Sequence, residues 1–382
     1  MLEDTYGHTP FHKAFGQLDV YGIGHDAERA SRKPIRLGVI GAGGVAQSKY
    51  FPAVARLRII WEPVEIVAFA EPREDQARKV QSVYGGRWYA DYEQMLRQED
   101  LHGVLVLGPD DAHMAHTLAA LEAGCHVLVE KPIARSLAHA EQMCRAADRR
   151  QLTLMTVANK RYSPPYRRAY QLIAEVLHNP ALFVGKFNLG YDYVDLFESA
   201  TIHLFDLARY LMGDVRSVQA MAVNRYGMNR RRYPVDNAVM SFEFASGAVG
   251  SLTTSSSALS FKPWERVEVY GNHAWLAVED QHELILYDSE TDGAKSWRTV
   301  VPNTLLFDEE FGGYMGIVEN FAQAIRGEEA PLVTGWDGYH AFALLAASQL
   351  AIIRRATVEL PIAGDADGEI AAWLSASGWP GE

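Results

Sequence analysis

The chain has 382 residues, 48% hydrophobic and 22% charged, which is ordinary globular usage at a length that usually requires two domains. With 36 basic against 48 acidic residues its formal net charge is −12, which disfavours nucleic acid and anionic membrane surfaces as partners. Its apolar runs fit neither a signal peptide nor a membrane span, and only Cys125 and Cys144 are present, so we expect a cytoplasmic protein without disulfides.

The first predicted strand leads into a glycine-rich turn, after an N-terminal arm of residues 1–33. The apolar run Ile35–Ile40 is followed by the spacing Gly41-x-Gly43-x-x-Ala46 and then by helix-compatible sequence. In a strand–turn–helix unit the first glycine permits the tight turn, and the second lets backbone N–H groups approach a pyrophosphate. The helix N-terminus supplies the anion site. The pattern therefore predicts a dinucleotide-binding loop.

The second predicted strand, residues 64–70, supports this interpretation. It delivers Glu71 25 residues after Ala46, close to where an acidic residue accepts hydrogen bonds from the ribose hydroxyls. Such a carboxylate repels a 2′-phosphate and favours NAD, whereas Arg73 could instead pair with that phosphate, so NADP stays possible. The cofactor-binding residues predicted in this unit are Gly41, Gly43, Gly44, Val45, Glu71 and Arg73.

Short apolar runs alternate with helical patterns up to residue 157, which is typical of a parallel sheet with helices on both faces. Helical spacing occurs over 112–121 and 137–143. We predict an N-terminal Rossmann domain, a doubly wound parallel sheet, over residues 34–157. Its strands are predicted at 35–40, 64–70, 103–107, 126–130 and 152–157.

The pattern changes after residue 160, where long strand-like runs follow one another, one pair of them joined through Ser246-Gly247 as a hairpin. We therefore predict a C-terminal α+β domain with a large, mostly antiparallel sheet over 158–361, and a solvated tail over 362–382. The chain as a whole belongs to the α/β class. Strands are predicted at 182–190, 216–225, 236–245, 248–256, 266–279 and 283–288, and helices around 164–177, 201–212, 314–326 and 338–354.

The triplet Glu130-Lys131-Pro132 closes a predicted strand at the carboxyl edge of the parallel sheet, where ligands bind in open α/β folds. With the glycine loop it belongs to an ordered set of motifs that resembles the glucose-fructose oxidoreductase, inositol dehydrogenase and MocA (Gfo/Idh/MocA) family over residues 34–361. The set comprises Gly41-Ala-Gly43, Glu71-Pro72, Gly108-Pro-Asp-Asp-Ala-His113, Glu130-Lys131-Pro132 and His203-Leu-Phe-Asp206-Leu-Ala-Arg.

The resemblance implies that Lys131 lies near the nicotinamide and the substrate hydroxyl. An ammonium there can hydrogen-bond the hydroxyl and stabilise negative charge on its oxygen as hydride leaves. Glu130 would orient Lys131 or contact the ribose, with a surface carboxylate as the alternative. The resemblance also places a second group of residues beside the cofactor, namely Leu107, Gly108, Pro109 and His113. We expect no metal site, because His113 and His116 lack a carboxylate ligand in a matching motif.

The family's second catalytic element is an Asp-x-x-x-His motif, in which the carboxylate holds a histidine that shuttles the proton. Here His203 is present but Ser199 stands in place of the aspartate. A serine hydroxyl can orient the ring but cannot stabilise an imidazolium with charge. The alternatives are His203 acting alone or with nearby acids, a structural His203, and proton transfer by Tyr191 or Tyr193.

The pair Lys160-Arg161 matches a basic pair that lines the crossover into the substrate domain in relatives. Arg161 would contact the cofactor or bind a substrate carboxylate or phosphate, or else pair with an acid between domains. The substrate-binding residues that the resemblance implies are Lys131, Lys160, Arg161, Tyr191, Ser199 and His203.

The leading hypothesis is an NAD(P)-dependent dehydrogenase that oxidises a secondary hydroxyl of a sugar, cyclitol or related polyol, with Lys131 and His203 as catalytic residues. One alternative is an NAD-retaining hydrolase or lyase that acts through transient oxidation. Another is a non-catalytic NAD-binding regulatory protein. Because large antiparallel sheets in this family pack face to face between subunits, we expect a homodimer or homotetramer.

Overall fold

Six parallel strands form one sheet in the N-terminal part of the chain, in the order β3-β2-β1-β4-β5-β6. This doubly wound order confirms the predicted Rossmann sheet. The computed structural model describes residues 32–59, 63–188, 195–226, 235–258, 263–289, 293–298 and 312–376. The strands are β1 (Ile35–Ile40), β2 (Val64–Ala70), β3 (Arg87–Tyr89), β4 (Gly103–Val106), β5 (His126–Val129) and β6 (Leu154–Thr156). The edge strand β3 is not predicted, because three residues are too few to show alternation.

Helices connect these strands and bring three loops to one edge of the sheet. Leu107 donates its N–H to Ile40 O over 2.8 Å, and Glu130 donates its N–H to Val106 O over 2.9 Å, so the ends of β1, β4 and β5 are adjacent. The helices are α1 (Phe51–Ile59), preceded by a π-helical turn (Ala46–Tyr50), α2 (Glu74–Tyr84), α3 (Tyr92–Gln98), α4 (His113–Glu122) and α5 (Leu137–Arg150).

A second sheet has nine described strands in the order β14-β13-β12-β11-β7-β10-β9-β8-β15. Only β7 and β10 pair in parallel among them, which confirms the mostly antiparallel sheet. The strands are β7 (Leu182–Asn188), β8 (Val215–Val223), β9 (Asn237–Phe244), β10 (Val249–Ser255), β11 (Glu265–Tyr270), β12 (Ala274–Glu279), β13 (Glu283–Asp288), β14 (Ala294–Arg298) and β15 (Val358–Glu359).

The single strand predicted over 266–279 is two strands, so that prediction is wrong. The chain turns between β11 and β12, where Gly271 donates its N–H to Ala274 O over 2.8 Å and His273 adopts a left-handed φ of 58°. The apolar residues on both sides of this short turn hid it in the sequence pattern. Strand β14, whose residues are all exposed, is also absent from the prediction.

Five further helices complete the described chain. They are α6 (Pro164–Leu172), continued by a π-helical turn (Ile173–Leu177), α7 (Ile202–Met212), preceded by a π-helical turn (Leu196–Thr201), α8 (Tyr314–Arg326), α9 (Gly335–Arg354) and α10 (Ala366–Ala376). No helix in the described ranges is long and apolar enough to cross a membrane.

The acidic stretch that the sequence assigns to a solvated tail begins helix α10 instead. Asp365 caps it by accepting the N–H of Gly368 over 2.9 Å. Asp367 accepts the N–H groups of Leu137 and Ala138 at the start of α5, over 2.9 and 3.1 Å. The tail therefore contributes a carboxylate to the first turn of another helix, where negative charge is favourable.

Candidate active site

The glycine loop after β1 has the geometry that a pyrophosphate requires. Gly41 has a φ of +91°, and a Cβ there would lie 2.7 Å from the backbone of Gly108, so only glycine fits. At Gly43 and Gly44 a Cβ would meet no atom within 4 Å. The loop backbone is thus open on the side where a dinucleotide approaches, and the residues fit NAD.

The side chain of Glu71, which is 3% exposed, connects the phosphate loop to Arg73 and Gln76. Its Oε2 accepts hydrogen bonds from Ala42 N over 3.2 Å and Gln76 Nε2 over 3.1 Å. Its Oε1 accepts from Arg73 N over 3.1 Å and from Arg73 Nε over 2.9 Å. The Arg73 guanidinium therefore contacts Glu71 through Nε while its side chain stays 63% exposed, and the carboxylate lies against the phosphate loop.

We expect Glu71→Ser to narrow the preference for NAD over NADP. The change removes the charge that repels a 2′-phosphate and releases Arg73 to pair with it. Dissociation constants for both cofactors, measured by calorimetry, test this result. The control is Glu74→Ser, which breaks the surface ion pair with Arg78 on the same segment. A wild-type protein that already prefers NADP would contradict our interpretation of Glu71.

His113 links the loops that follow β4 and β5. Its Nδ1 lies 2.9 Å from Pro132 O and its Nε2 lies 3.1 Å from Gly108 O, with the ring buried. The predicted cofactor-adjacent residues Leu107, Gly108 and Pro109 thus lie between Gly41 and the segment that follows Lys131. Within the described ranges no three His, Cys, Asp or Glu side chains are grouped as metal ligands would be.

Lys131 is held at both its backbone and its side chain. Its N–H donates to Glu130 Oε2 over 2.9 Å, and its Nζ donates to the backbone carbonyl of Ser199 over 2.9 Å. Burial lowers the pKa of Lys131, while the carboxylates of Glu130 and Asp110 partly oppose that change. The ammonium is thus positioned between the parallel sheet and the segment before α7, and it loses its proton more readily than an ordinary lysine.

Ser199 touches Lys131 through its carbonyl, and its hydroxyl makes no hydrogen bond to His203. Among the described residues none hydrogen-bonds the His203 ring. Burial lowers the pKa of His203 well below its usual value, and the ammonium groups of Lys131 and Lys160 lower it further. His203 is therefore a neutral imidazole with ring nitrogens available to a ligand.

Lys131 and His203 line one cavity between the two domains. Its wall also includes Thr156 at the end of β6 and Asp206 on α7, and apolar residues complete it. A proton acceptor and an ammonium therefore face the same space, at the edge of the sheet that carries the phosphate loop. This arrangement can bind a hydroxyl and remove its proton.

Arg161 forms ion pairs with two carboxylates of the C-terminal domain, and its own side chain is buried. Its Nε lies 3.1 and 3.0 Å from the two carboxylate oxygens of Asp206, and its Nη2 lies 2.7 Å from Asp206 Oδ1 and 3.2 Å from Asp337 Oδ1. The sequence left open pairing with an acid between domains as an alternative to cofactor or substrate contact, whereas the observed carboxylates lie in the same domain as Arg161.

Lys160 is also paired. Its Nζ contacts Glu265 on β11, and the other oxygen of Glu265 accepts a hydrogen bond from the Tyr166 hydroxyl over 2.6 Å. Phe187 and Trp264 place their rings 5.5 and 5.3 Å from this ammonium. Tyr191 and Tyr193, the remaining predicted residues, lie outside the described residues.

Sequence reasoning missed three residues that hold the site together, Tyr50, Glu265 and Asp337. Each contacts a predicted residue that lies 80 or more positions away in the chain. The pairs are Tyr50 with Glu130, Glu265 with Lys160, and Asp337 with Arg161. No local spacing signals such a pairing. Only the charge of Glu265 and Asp337 could have suggested partners for Lys160 and Arg161.

Two family models match the chain. An oxidoreductase family with an NAD-binding Rossmann fold matches residues 35–158, and the C-terminal alpha/beta domain of the same oxidoreductase family matches residues 197–360. Together they match most of the chain. This agrees with the two sheets described above.

Two relatives and one solved structure align with this chain over nearly their whole lengths. Myo-inositol 2-dehydrogenase of Thermotoga maritima is 26% identical over 85% of this chain and 98% of the relative. D-glucoside 3-dehydrogenase of Escherichia coli is 26% identical over 82% and 94%. A levoglucosan dehydrogenase complex with NADH has a TM-score of 0.78 at 20% identity, over 86% of this chain and all of that one. The last likeness supports the fold.

Proposed function

The chain belongs to the Gfo/Idh/MocA oxidoreductase family and is an NAD(P)-dependent dehydrogenase, and from this premise we propose that it oxidises a secondary hydroxyl of a sugar, cyclitol or related polyol. The observation that carries the proposal is the placement of Lys131 and His203 on one cavity at the carboxyl edge of the parallel sheet. The names of two relatives, which act on myo-inositol and on D-glucosides, support the substrate class.

The two side chains divide the work at the hydroxyl. Lys131 donates a hydrogen bond to the substrate oxygen and stabilises the negative charge that develops there. Neutral His203 accepts the hydroxyl proton at a ring nitrogen. Bound NAD supplies the acceptor for the hydride that leaves the carbinol carbon.

Charge pairing favours an uncharged substrate. Lys160 and Arg161 are both buried and paired with carboxylates, so neither offers a cation to a substrate carboxylate or phosphate. Removing a carboxylate from either pair would leave a buried charge uncompensated, which is strongly destabilising. We therefore favour polyols over sugar acids.

A screen of polyols, sugars and sugar acids with NAD and NADP tests the proposal. We expect NADH to accumulate with at least one uncharged polyol. Product formation without net NADH, from protein that retains its cofactor, would instead indicate hydrolysis or elimination through transient oxidation. Confirmed NAD binding with no turnover of any compound would favour a regulatory role.

We expect a homodimer or homotetramer that forms through the open face of the second sheet. This face exposes apolar side chains on adjacent strands, with Met221 78%, Val239 47% and Val249 51% exposed. Met221 lies opposite Val239 in the β8–β9 register, so the two form one patch. Light scattering at micromolar concentration tests the assembly.

Val239→Lys should dissociate the oligomer by placing a charge in the packed face. Val83→Lys is the matched control, because Val83 is 71% exposed on α2 and lies outside this patch. A monomeric wild-type protein would exclude the assembly.

A further inference from the structure

A buried tyrosine connects the helix behind the phosphate loop to the reactive lysine. The π-helical turn (Ala46–Tyr50) follows the loop directly and ends in Tyr50, which is fully buried. The Tyr50 hydroxyl donates to Glu130 Oε1 over 2.7 Å. The other oxygen, Oε2, accepts the N–H of Lys131 over 2.9 Å.

Both oxygens of Glu130 thus have protein donors, and the carboxylate is only 8% exposed. These contacts favour orientation of Lys131 over contact with the ribose as the role of Glu130. A buried carboxylate that loses a donor is left without a hydrogen bond at one oxygen, so we expect it to turn toward water. The orientation of Glu130, and with it the Lys131 peptide, therefore depends on the Tyr50 hydroxyl.

We propose that Tyr50 is a positioning residue for the dehydrogenase reaction, which acts through the Glu130 carboxylate to hold Lys131 in its reactive orientation. The proposal rests on the proposed function, in which Lys131 contacts the substrate hydroxyl. Burial and the Glu130 charge raise the pKa of Tyr50 well above its usual value, so the hydroxyl keeps its proton and donates throughout the working pH range.

Tyr50→Phe removes only the hydroxyl and tests the proposal. We expect kcat to fall about tenfold because Lys131 is held less well in its reactive orientation, while KM and the Kd for NAD stay unchanged. In this variant Glu130 should turn away from Lys131. The Glu130 charge raises the pKa of Lys131 in the wild type, so that pKa should fall further when the carboxylate moves away. The alkaline limb of the kcat profile should then move to lower pH.

Tyr314→Phe is the matched control. The Tyr314 ring packs edge-on against Tyr50 with centroids 5.5 Å apart, but it donates no hydrogen bond to Glu130. This variant should retain the wild-type kcat and pH profile. Glu130→Gln should reproduce the Tyr50→Phe effects, and the double variant should add little to either, since both changes break one connection.

The pH dependence of Lys131 modification by an amine reagent, followed by mass spectrometry, provides a readout that needs no substrate. A downward shift of the Lys131 titration in Tyr50→Phe supports the proposal even if no polyol is turned over. A folded Tyr50→Phe variant with the wild-type Lys131 titration overturns it, whatever the outcome of the substrate screen.

Discussion

Replacement of Lys131 by alanine should lower kcat by about 10²- to 10³-fold, the range for loss of one donor to a developing oxyanion. The ammonium lies at the carboxyl edge of the parallel sheet, lines the same cavity as His203 and is held by the Ser199 carbonyl. NAD affinity should change little, because the phosphate loop lies on another segment. Steady-state kinetics and calorimetry with NAD test both statements.

The pH profile gives a second check on Lys131. Burial lowers the pKa of this lysine, so its ammonium is lost at a lower pH than that of an ordinary lysine. If the ammonium is the reactive form, activity should fall on the alkaline side within that lowered range. Lys79→Ala, a change at an exposed lysine on α2, is the control and should leave the rate and profile unaltered. Full activity of Lys131→Ala would remove the lysine from the mechanism.

Much of the first domain could be predicted because its signals are local. The strands β1 and β2 are apolar runs that end at glycine or acidic residues, and hydrophobic periodicity detects such runs directly. The signal fails for β3, which is too short, and at the turn after Gly271, where apolar runs on both sides merge. Both failures occur where a few backbone hydrogen bonds, rather than a side-chain pattern, define the structure.

In the site, too, some features could be predicted from the sequence and others could not. The strand–turn–helix spacing predicted Gly41, and the family resemblance pointed to Lys131 and His203. It could not show which groups neutralise one another, because that depends on contacts across the fold. The basic pair Lys160-Arg161 suggested ligand binding, yet Glu265 and Asp206 occupy both cations. Lys131 contacts the backbone carbonyl of Ser199. Every residue has such a carbonyl, so the sequence gives no signal for this contact.

His203→Ala should reduce turnover by about 10²- to 10⁴-fold, the usual contribution of a general base, with little change in NAD binding. The His203 pKa lies well below its usual value because of burial and the charges of Lys131 and Lys160. A base acts in its unprotonated form, so wild-type kcat/KM should decline on the acid side only below the usual histidine range. Kinetics across pH measure this limb.

Ser199→Asp should move that acid limb to higher pH, which tests how the chain functions without the family aspartate. A carboxylate one turn before His203 favours the imidazolium and raises its pKa, so protonation removes the base at a higher pH than in the wild type. Ser199→Asn introduces a side chain of the same size as aspartate but without its charge, so it should leave the acid limb at the wild-type pH. If His203→Ala retains full activity while Lys131→Ala loses it, the proton leaves through the lysine or a tyrosine, and Ser199→Asp should then leave the acid limb unmoved.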